Sequence, residues 1–333
     1  MKFGAYKVEG TDLKLIAGGD REEIGEQDYV AVLDEALQAL NLKAPQFDAV
    51  GHRFVHGGRH LRDHCMLDAT VAEKLSDAVP YAPLHMPAAL AVLKAVRSKL
   101  PGVPQAVCLD TAFHRNMPEV SRTFALPENV RKLGVERYGF HGLSLESIVQ
   151  QLGSAPARLI VAHLGNGASI TAIRNGVSVD TSMGMTPTGG FLMGTRTGDL
   201  DPGVLIYLLR HGYGSAEALE RLCDRESGLR GVSGGTSDVR ELLERRNSDS
   251  NADLALSMFC YQVRKTVSGM AAALGGVDML VFTGGIGEHA GGLREEIICG
   301  LAFLGKFEIR VLPSREDEQI ARNTARLLLS SPQ

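Results

Sequence analysis

The sequence of 333 residues has no CxxC pair, no basic block and no apolar stretch long enough to span a bilayer. Each absence excludes a class of function. The five cysteines (Cys65, Cys108, Cys223, Cys260 and Cys299) are scattered and odd in number, which argues against a disulfide framework and for a reducing, cytoplasmic setting. A formal net charge of -4 and a pI of about 6.2 leave no electrostatic footprint for nucleic acid or a membrane surface. The opening residues, Met1-Lys2-Phe3-Gly4-Ala5-Tyr6, carry no apolar signal region. A Walker A lysine loop, a Ser-His-Asp triad and a cysteine nucleophile elbow are all missing. So are a short-period repeat and a Pro/Ser-rich linker that would mark a domain boundary.

What is present is an ordinary globular composition, 44% hydrophobic and 22% charged. The length is large for one core, so two domains are expected. Glycine is in excess, with 38 residues clustered at 57–58, 165–167, 189–198, 231–235 and 284–292. Clustered glycines mark loops that need positive φ or close backbone approach.

Patterning predicts a hairpin over residues 2–17, a helix over 28–42, and a strand over 49–55 that ends in His56-Gly57-Gly58. Helices follow at 68–79, capped by Asp68, and at 85–99, then a short buried strand from Gln105 to Leu109. Residues 159–182 read as three strands, with Asn175-Gly176 in a hairpin turn. Helices are expected at 202–211, 215–224, 237–246 and 251–274, and Met279 to Phe282 reads as a strand buried on both faces. The glycine turn 284–287 then leads into a helix, followed by a strand near 307–312 and a helix near 315–329. Strands alternate with helices in both halves, which predicts an α/β protein with mixed sheets.

Several segments carry chemistry-bearing residues. The turn at His163-Leu164-Gly165-Asn166-Gly167 sits between two apolar runs and leaves backbone N–H groups open to phosphate oxygens. Arg53 precedes a glycine turn at a strand end, where a guanidinium can hold carboxylate or phosphate; on this segment alone a surface arginine beside a turn is the favoured reading. The spacing of His52, His56, His60 and His64 invites a metal reading, but Gly57 and Gly58 would break the helix needed to align them. Asp110 ends a buried strand, where α/β proteins place ligands, or else caps a helix. His141 lies between Phe140 and Gly142 and could donate to an oxyanion, or be a satisfied structural histidine. Arg196, flanked by Gly194 and Gly198, precedes two acids, Asp199 and Asp201; these could position it for phosphoryl transfer or simply cap the helix at Pro202. Gly284-Gly285-Ile286-Gly287-Glu288 has the spacing GGxGE rather than GxGxxG, which is weak support for a dinucleotide site.

In order along the chain, HRFVHGG (52–58), PLHMP (83–87), LDTAFH (109–114), YGFHG (138–142), AHLGNGAS (162–169), MTPTGGFLMGTRTGDLDPG (185–203), SDVR (237–240) and FTGGIGE (282–288) resemble the acetate kinase family and its propionate-kinase relatives. The resemblance runs from about Lys2 to Leu329. It implies a two-domain, actin-like α/β fold of the sugar-kinase and Hsp70 superfamily, with mixed sheets flanked by helices and the active site in an interdomain cleft. The domains would be residues 1–112 plus 316–333, and 113–315. It implies reversible Mg²⁺- or Mn²⁺-dependent transfer of the ATP γ-phosphoryl group to a short carboxylate, giving acyl phosphate and ADP. Arg53 and Arg196 would bind the acyl phosphate and stabilise the transferring group, Asp110 would be the active-site carboxylate, and His141 would bond the phosphoryl in flight. His163, Leu164, Gly165, Asn166 and Gly167 would contact ATP phosphates. Asp238, Val239 and Arg240, with Gly285, Ile286, Gly287, Glu288 and His289, would flank the adenosine. Val55, Leu84, Phe140 and Pro187 would form an apolar pocket for the substrate methyl, with His85 lining it, and Glu316 would be linked to the metal. Relatives of this kind are commonly homodimers.

The chain also departs from the family. An Asn-x-Gly-Ser-Ser-Ser-x-Lys phosphate loop, which the family places before the residue aligned with Met1, is not in this sequence. Two readings stand: an upstream start, favoured because the other catalytic positions are retained, or a weak or inactive relative that still binds nucleotide. Val239 replaces a residue that is often larger, and His289 one that is often Asn.

Overall fold

A computed structural model describes residues 2–10, 12–20, 29–39 and 47–330. In chain order the elements begin with strands β1 (Lys2–Glu9) and β2 (Asp12–Asp20), helix α1 (Tyr29–Ala39), β3 (Val50–Phe54), β4 (Cys65–Met66), α2 (Ala69–Asp77), α3 (Met86–Lys99) and β5 (Gln105–Leu109). Next come α4 (Glu119–Arg122), α5 (Glu128–Arg131), α6 (Gly142–Leu152), β6 (Arg158–Leu164), β7 (Ala168–Arg174), β8 (Val177–Thr181), α7 (Pro202–Arg210) and α8 (Ala216–Arg221). The chain closes with α9 (Gly228–Ser233), α10 (Val239–Arg245), α11 (Ser250–Leu274), β9 (Met279–Thr283), α12 (Gly284–His289), α13 (Gly291–Cys299), β10 (Glu308–Val311) and α14 (Glu316–Ser330). The expected α/β architecture with mixed sheets is what forms. Residues 28 and 40–42 of the first expected helix lie outside the described residues.

Two compact units result. The first comprises 1–115, 140–147 and 315–333, and the second 116–139 and 148–314. In the first unit β1 and β2 pair as an antiparallel hairpin, and a separate sheet has the order β3-β5-β4, with β3 parallel to β5. Every residue of β5 is buried, which explains the apolar run from Ala106 to Leu109. Phe54, Leu75, Met86, Val107 and Leu109 make the core beneath it. Asp68 accepts the Val71 N–H at 2.7 Å and starts α2 as its sequence position predicts.

The second unit holds a five-stranded sheet ordered β10-β9-β6-β7-β8. The strands β10, β9 and β6 run parallel, whereas β6-β7-β8 is an antiparallel meander. The hairpin at Asn175-Gly176 has φ of 50° and 82° at its two central residues, the positive values that a type I′ turn needs. Leu256, Phe259, Val263, Val267 and Leu274 form the buried stripe of α11, which covers β6, β7 and β8.

Two local expectations need correction. Gly284 opens a helix directly rather than ending a loop: α12 begins at that glycine. The helix expected at 215–224 stops at Arg221, continues as a π-turn over Leu222–Glu226, and is followed by α9. No helix among the described residues is long and apolar enough to cross a membrane.

His52 and His114 are buried, and burial pushes both imidazoles down to about 4 against the hydrogen bonds each makes. His52 Nε2 donates to Gln105 Oε1 at 2.9 Å, and His114 Nε2 donates to the Phe140 carbonyl at 3.0 Å. With folded values below the ordinary 6.5, the unfolded chain takes up more protons as the pH drops. Stability is therefore complete above about 6.5 and is lost progressively toward about 4, by roughly 3 kcal/mol per histidine at the limit. Denaturant melts between pH 7 and 4 should show this slope, and His52→Gln should flatten part of it; an unchanged slope in that variant contradicts the assignment.

Candidate active site

Parallel pairing of β3 and β5 brings two chemistry-bearing residues to the same sheet end. Arg53 stands opposite Cys108 in register, and Asp110 follows β5 directly, its N–H bonded to the Phe54 carbonyl at 2.9 Å. The Arg53 guanidinium forks onto Asp110, with Nη2 at 2.8 Å from Oδ2 and Nε at 3.2 Å from both oxygens. Its Nη1 reaches Glu316 Oε2 at 3.0 Å, at the first residue of α14. The Asp110 side chain is 2% exposed, yet that of Arg53 is 40% exposed. The pair is thus anchored inside and presented outside. Asp110, opposed by burial and reinforced by Glu316, raises the guanidinium above its ordinary value and keeps it charged. Asp110 is not a helix cap: the single turn over 112–114 has Thr111 at its cap position.

Phe140, His141 and Gly142 join this group through the backbone. The Gly142 N–H donates to the Asp110 carbonyl at 2.8 Å. A Cβ at residue 142 would stand 2.3 Å from that oxygen, so only glycine allows the approach. His141 adopts φ of 58°, an uncommon backbone state for a residue other than glycine. The Phe140 ring is buried, edge-on to His56 at 5.5 Å between centroids. Val55 packs on the core of the unit, Leu84 is 37% exposed, and His85 occupies the N-cap position of α3.

The histidines that invited a metal reading are separately employed. His52 binds Gln105, His56 Nδ1 accepts the Gly58 N–H at 2.8 Å, and His64 bonds Glu146 at 2.9 Å. Among the described residues no three His, Cys, Asp or Glu side chains are grouped to hold a metal by themselves.

In the second unit, Arg196 sits on a loop fastened to residues 222–230. Thr197 N–H donates to the Cys223 carbonyl, Ser227 N–H to Thr195, Leu229 N–H to Met193 and Arg230 N–H to Gly194, at 2.8–3.0 Å. Thr195 Oγ1 donates to the Asp224 carbonyl at 2.7 Å, and Thr188 Oγ1 bonds the Asp224 carboxylate. Burial pushes the Arg196 guanidinium down, and the Asp224 charge opposes this. Arg196 Nη1 also donates to the Pro187 carbonyl at 3.3 Å. Asp199 and Asp201, the acids suggested by spacing, bind the Gly190 and Gly203 amides at 2.8 Å, the second as the cap of α7. Asp224, the acid acting on Arg196, carries no sequence signal: it lies in the π-turn, with no motif around it.

The turn at 163–167 bridges β6 and β7 as expected. The Gly194 N–H donates to the Asn166 carbonyl at 3.0 Å, and a Cβ at 194 would meet Asn166 Oδ1 at 2.0 Å. The Arg196 loop and the glycine turn are therefore in direct contact. His163 pairs in register with Thr283, so the start of α12 lies beside the same turn. Leu164 is buried, and Gly165 N–H bonds the Gly167 carbonyl at 3.1 Å. Gly285, Ile286, Gly287, Glu288 and His289 form the body of α12, and Glu288 Oε1 accepts the Gly284 N–H at 3.0 Å and that of Ser314 at 3.3 Å. Asp238 caps α10 through the Arg240 N–H at 2.9 Å and pairs with the exposed Arg240 side chain at 2.6 Å, while Val239 is buried.

A family model described as the acetokinase family matches residues 9–330. The acetate kinase of Thermosynechococcus vestitus is 45% identical over 263 residues, spanning 77% of this chain and 63% of its own length. The crystal structure of Porphyromonas gingivalis acetate kinase superposes with a TM-score of 0.83 at 36% identity, covering 98% of this chain and 90% of that one. A propionate kinase from Francisella tularensis gives a TM-score of 0.85 at 33% identity, covering 95% and 87%.

Gly142→Ala tests the backbone seam between Asp110 and His141. The new methyl must displace the Asp110 carbonyl, which should cost about 1–3 kcal/mol of stability. Thermal denaturation should show a lowered Tm, and an unchanged Tm would contradict the close approach.

Proposed function

The chain belongs to the acetokinase family, and we propose that it catalyses reversible transfer of the ATP γ-phosphoryl group to acetate or propionate, giving an acyl phosphate and ADP. The observation that carries this reading is the exposed guanidinium of Arg53, forked onto Asp110 and held by Glu316. A carboxylate oxygen of the substrate forms the new bond to γ-phosphorus, and the bond to the bridging oxygen of ADP breaks, ADP leaving with the electron pair. Such a loose transition state calls for positioning and neutralisation of charge more than for covalent help.

In this reading Arg53 orients the carboxylate or acyl phosphate, Asp110 keeps the guanidinium in place, and His141 donates to the transferring group. Arg196, largely stripped of water, would place its charge on phosphoryl oxygens. Val55, Leu84 and Phe140, with His85, would line the place of a methyl or ethyl group. One methylene is worth only about 1–3 kcal/mol, so acetate and propionate would both be accepted. The turn 163–167 would hold ATP phosphates, and residues 238–240 and 285–289 the adenosine. Asp110 and Glu316 are oxygen donors of the kind Mg²⁺ and Mn²⁺ prefer, and two carboxylates suffice for an ion that keeps waters and substrate phosphates as its other ligands. When bound, the metal would neutralise charge on the ATP phosphates.

The unpaired cysteines support a reducing, cytoplasmic location. A second copy of the chain is the expected partner. None of the 9 residues of α7 is buried, and Val204, Ile206, Tyr207 and Leu209 on it are exposed apolar groups, as at an interaction surface. Light scattering should report a dimer that Tyr207→Glu weakens; a monomer at all concentrations contradicts this.

The direct test is hydroxylamine trapping of acyl phosphate from Mg-ATP with acetate, propionate or butyrate. Absence of trapped product with all three contradicts the reading, and ADP binding without turnover would instead indicate a nucleotide-binding relative. Arg196→Ala should lower kcat by about 10²–10³ through loss of a charge-stabilising donor. Near-normal turnover in that variant would remove Arg196 from the reaction.

A further inference from the structure

One partly buried carboxylate joins the three segments that carry Asp110, His141 and Glu316. Glu146 lies on α6, one turn beyond His141. Its Oε1 is 2.9 Å from His64 Nε2, and its Oε2 accepts from Asn323 Nδ2 at 2.8 Å and Gln319 Nε2 at 3.3 Å. Gln319 also donates to Asn323 Oδ1 at 3.2 Å. On its other side, His64 Nδ1 accepts the Leu109 N–H at 3.0 Å. That bond fixes the tautomer: Nδ1 carries the lone pair, so the proton is on Nε2 and is donated to Glu146.

The group is enclosed, with the His64 side chain 1% exposed and that of Glu146 16% exposed. Burial would raise the Glu146 carboxyl, but the donors on it, His64 foremost, hold it below its ordinary value. Each connection ends beside a residue of the proposed site. Leu109 directly precedes Asp110, and Gln319 lies one turn past Glu316 on α14. On α6 itself, the Leu145 N–H bonds the His141 carbonyl at 3.0 Å and the Gly142 N–H bonds that of Asp110 at 2.8 Å. A core that needed only stability could fill this place with apolar side chains. A satisfied polar hub instead fixes directions, because each bond has its own geometry.

We propose that Glu146, with His64 as its link to β5, is a positioning residue that sets the relative placement of Asp110, His141 and Glu316. It touches neither substrate nor the reacting atoms. Its catalytic consequence rests on the kinase reading above; its structural consequence does not.

Glu146→Gln keeps the shape but removes the charge and turns one acceptor oxygen into a donor, so the Asn323 and Gln319 amides must flip to meet it and the hub is rearranged. The expected result is a fall in kcat of about 10–100-fold, the usual cost of losing a group that orients those in direct contact. The KM for the carboxylate should rise while that for ATP stays unchanged. Val71→Ala, in the core of the same unit and with no hydrogen bond to lose from its side chain, serves as the comparator for lost stability and should keep the wild-type kcat. Equal loss of kcat in both variants, or an intact kcat in Glu146→Gln, overturns the inference.

A second readout is independent of turnover. NMR of histidine-labelled protein should show the His141 ring signals shifted in Glu146→Gln and unmoved in Val71→Ala. Unmoved signals in Glu146→Gln overturn the proposal. A wild-type chain without kinase activity would sink the kinase reading alone and leave this measurement decisive. Should Glu146→Gln fail to fold, His64→Asn keeps an acceptor for the Leu109 amide, deletes the donor to Glu146, and carries the same expected outcomes.

Discussion

Two carboxylates share one guanidinium at a sheet end of the first unit, and the surrounding structure serves to hold them there. Asp110 takes the Nε and Nη2 of Arg53, and Glu316 takes the Nη1. A bidentate fork of this type fixes direction as well as charge. One positive charge against two negative ones leaves the group net negative. The three residues come from distant parts of the chain, and the fold must bring them together. Parallel pairing of β3 and β5 delivers the first two to one end of the sheet, where open α/β sheets bind ligands. The N-terminus of α14 supplies the third, and an acid is favoured there by the helix dipole.

The second unit holds its arginine through the backbone around it. Arg196 is on a loop, and a loop alone would not hold a guanidinium in place. The backbone of residues 193–197 is instead bonded repeatedly to residues 222–230, and Gly194 lets it lie directly against Asn166. The desolvation that depresses Arg196 is the same condition that makes its charge effective toward an anion. Rigidity and electrostatic strength thus have one origin.

Much of this was legible in the sequence where local physics dominates. The buried strand 279–283, the Asp68 cap and the Asn175-Gly176 turn each follow from composition at a few adjacent positions. The motifs also marked Arg53 and Asp110 as worth attention, although only tertiary pairing shows that one is forked on the other. Legibility failed where the decision is made by distant contacts. Gly284 to Gly287 reads as a loop by propensity, yet it is helical, with Glu288 bonding back to the Gly284 amide. Asp199 and Asp201 flank Arg196 in sequence but spend their oxygens on backbone amides. Asp224 and Glu146 carry no motif, and His64 stands in a histidine spacing that pointed to a metal, because what gives each its role lies tens of residues or more away along the chain.

The account centres on the geometry of Arg53 rather than on its charge alone. Steady-state kinetics of Arg53→Lys separates the two, because lysine keeps the charge but cannot fork onto Asp110 while also reaching Glu316. The account predicts that acyl phosphate formation collapses in this variant while the affinity for ADP is retained. Turnover close to that of the unsubstituted chain would contradict it.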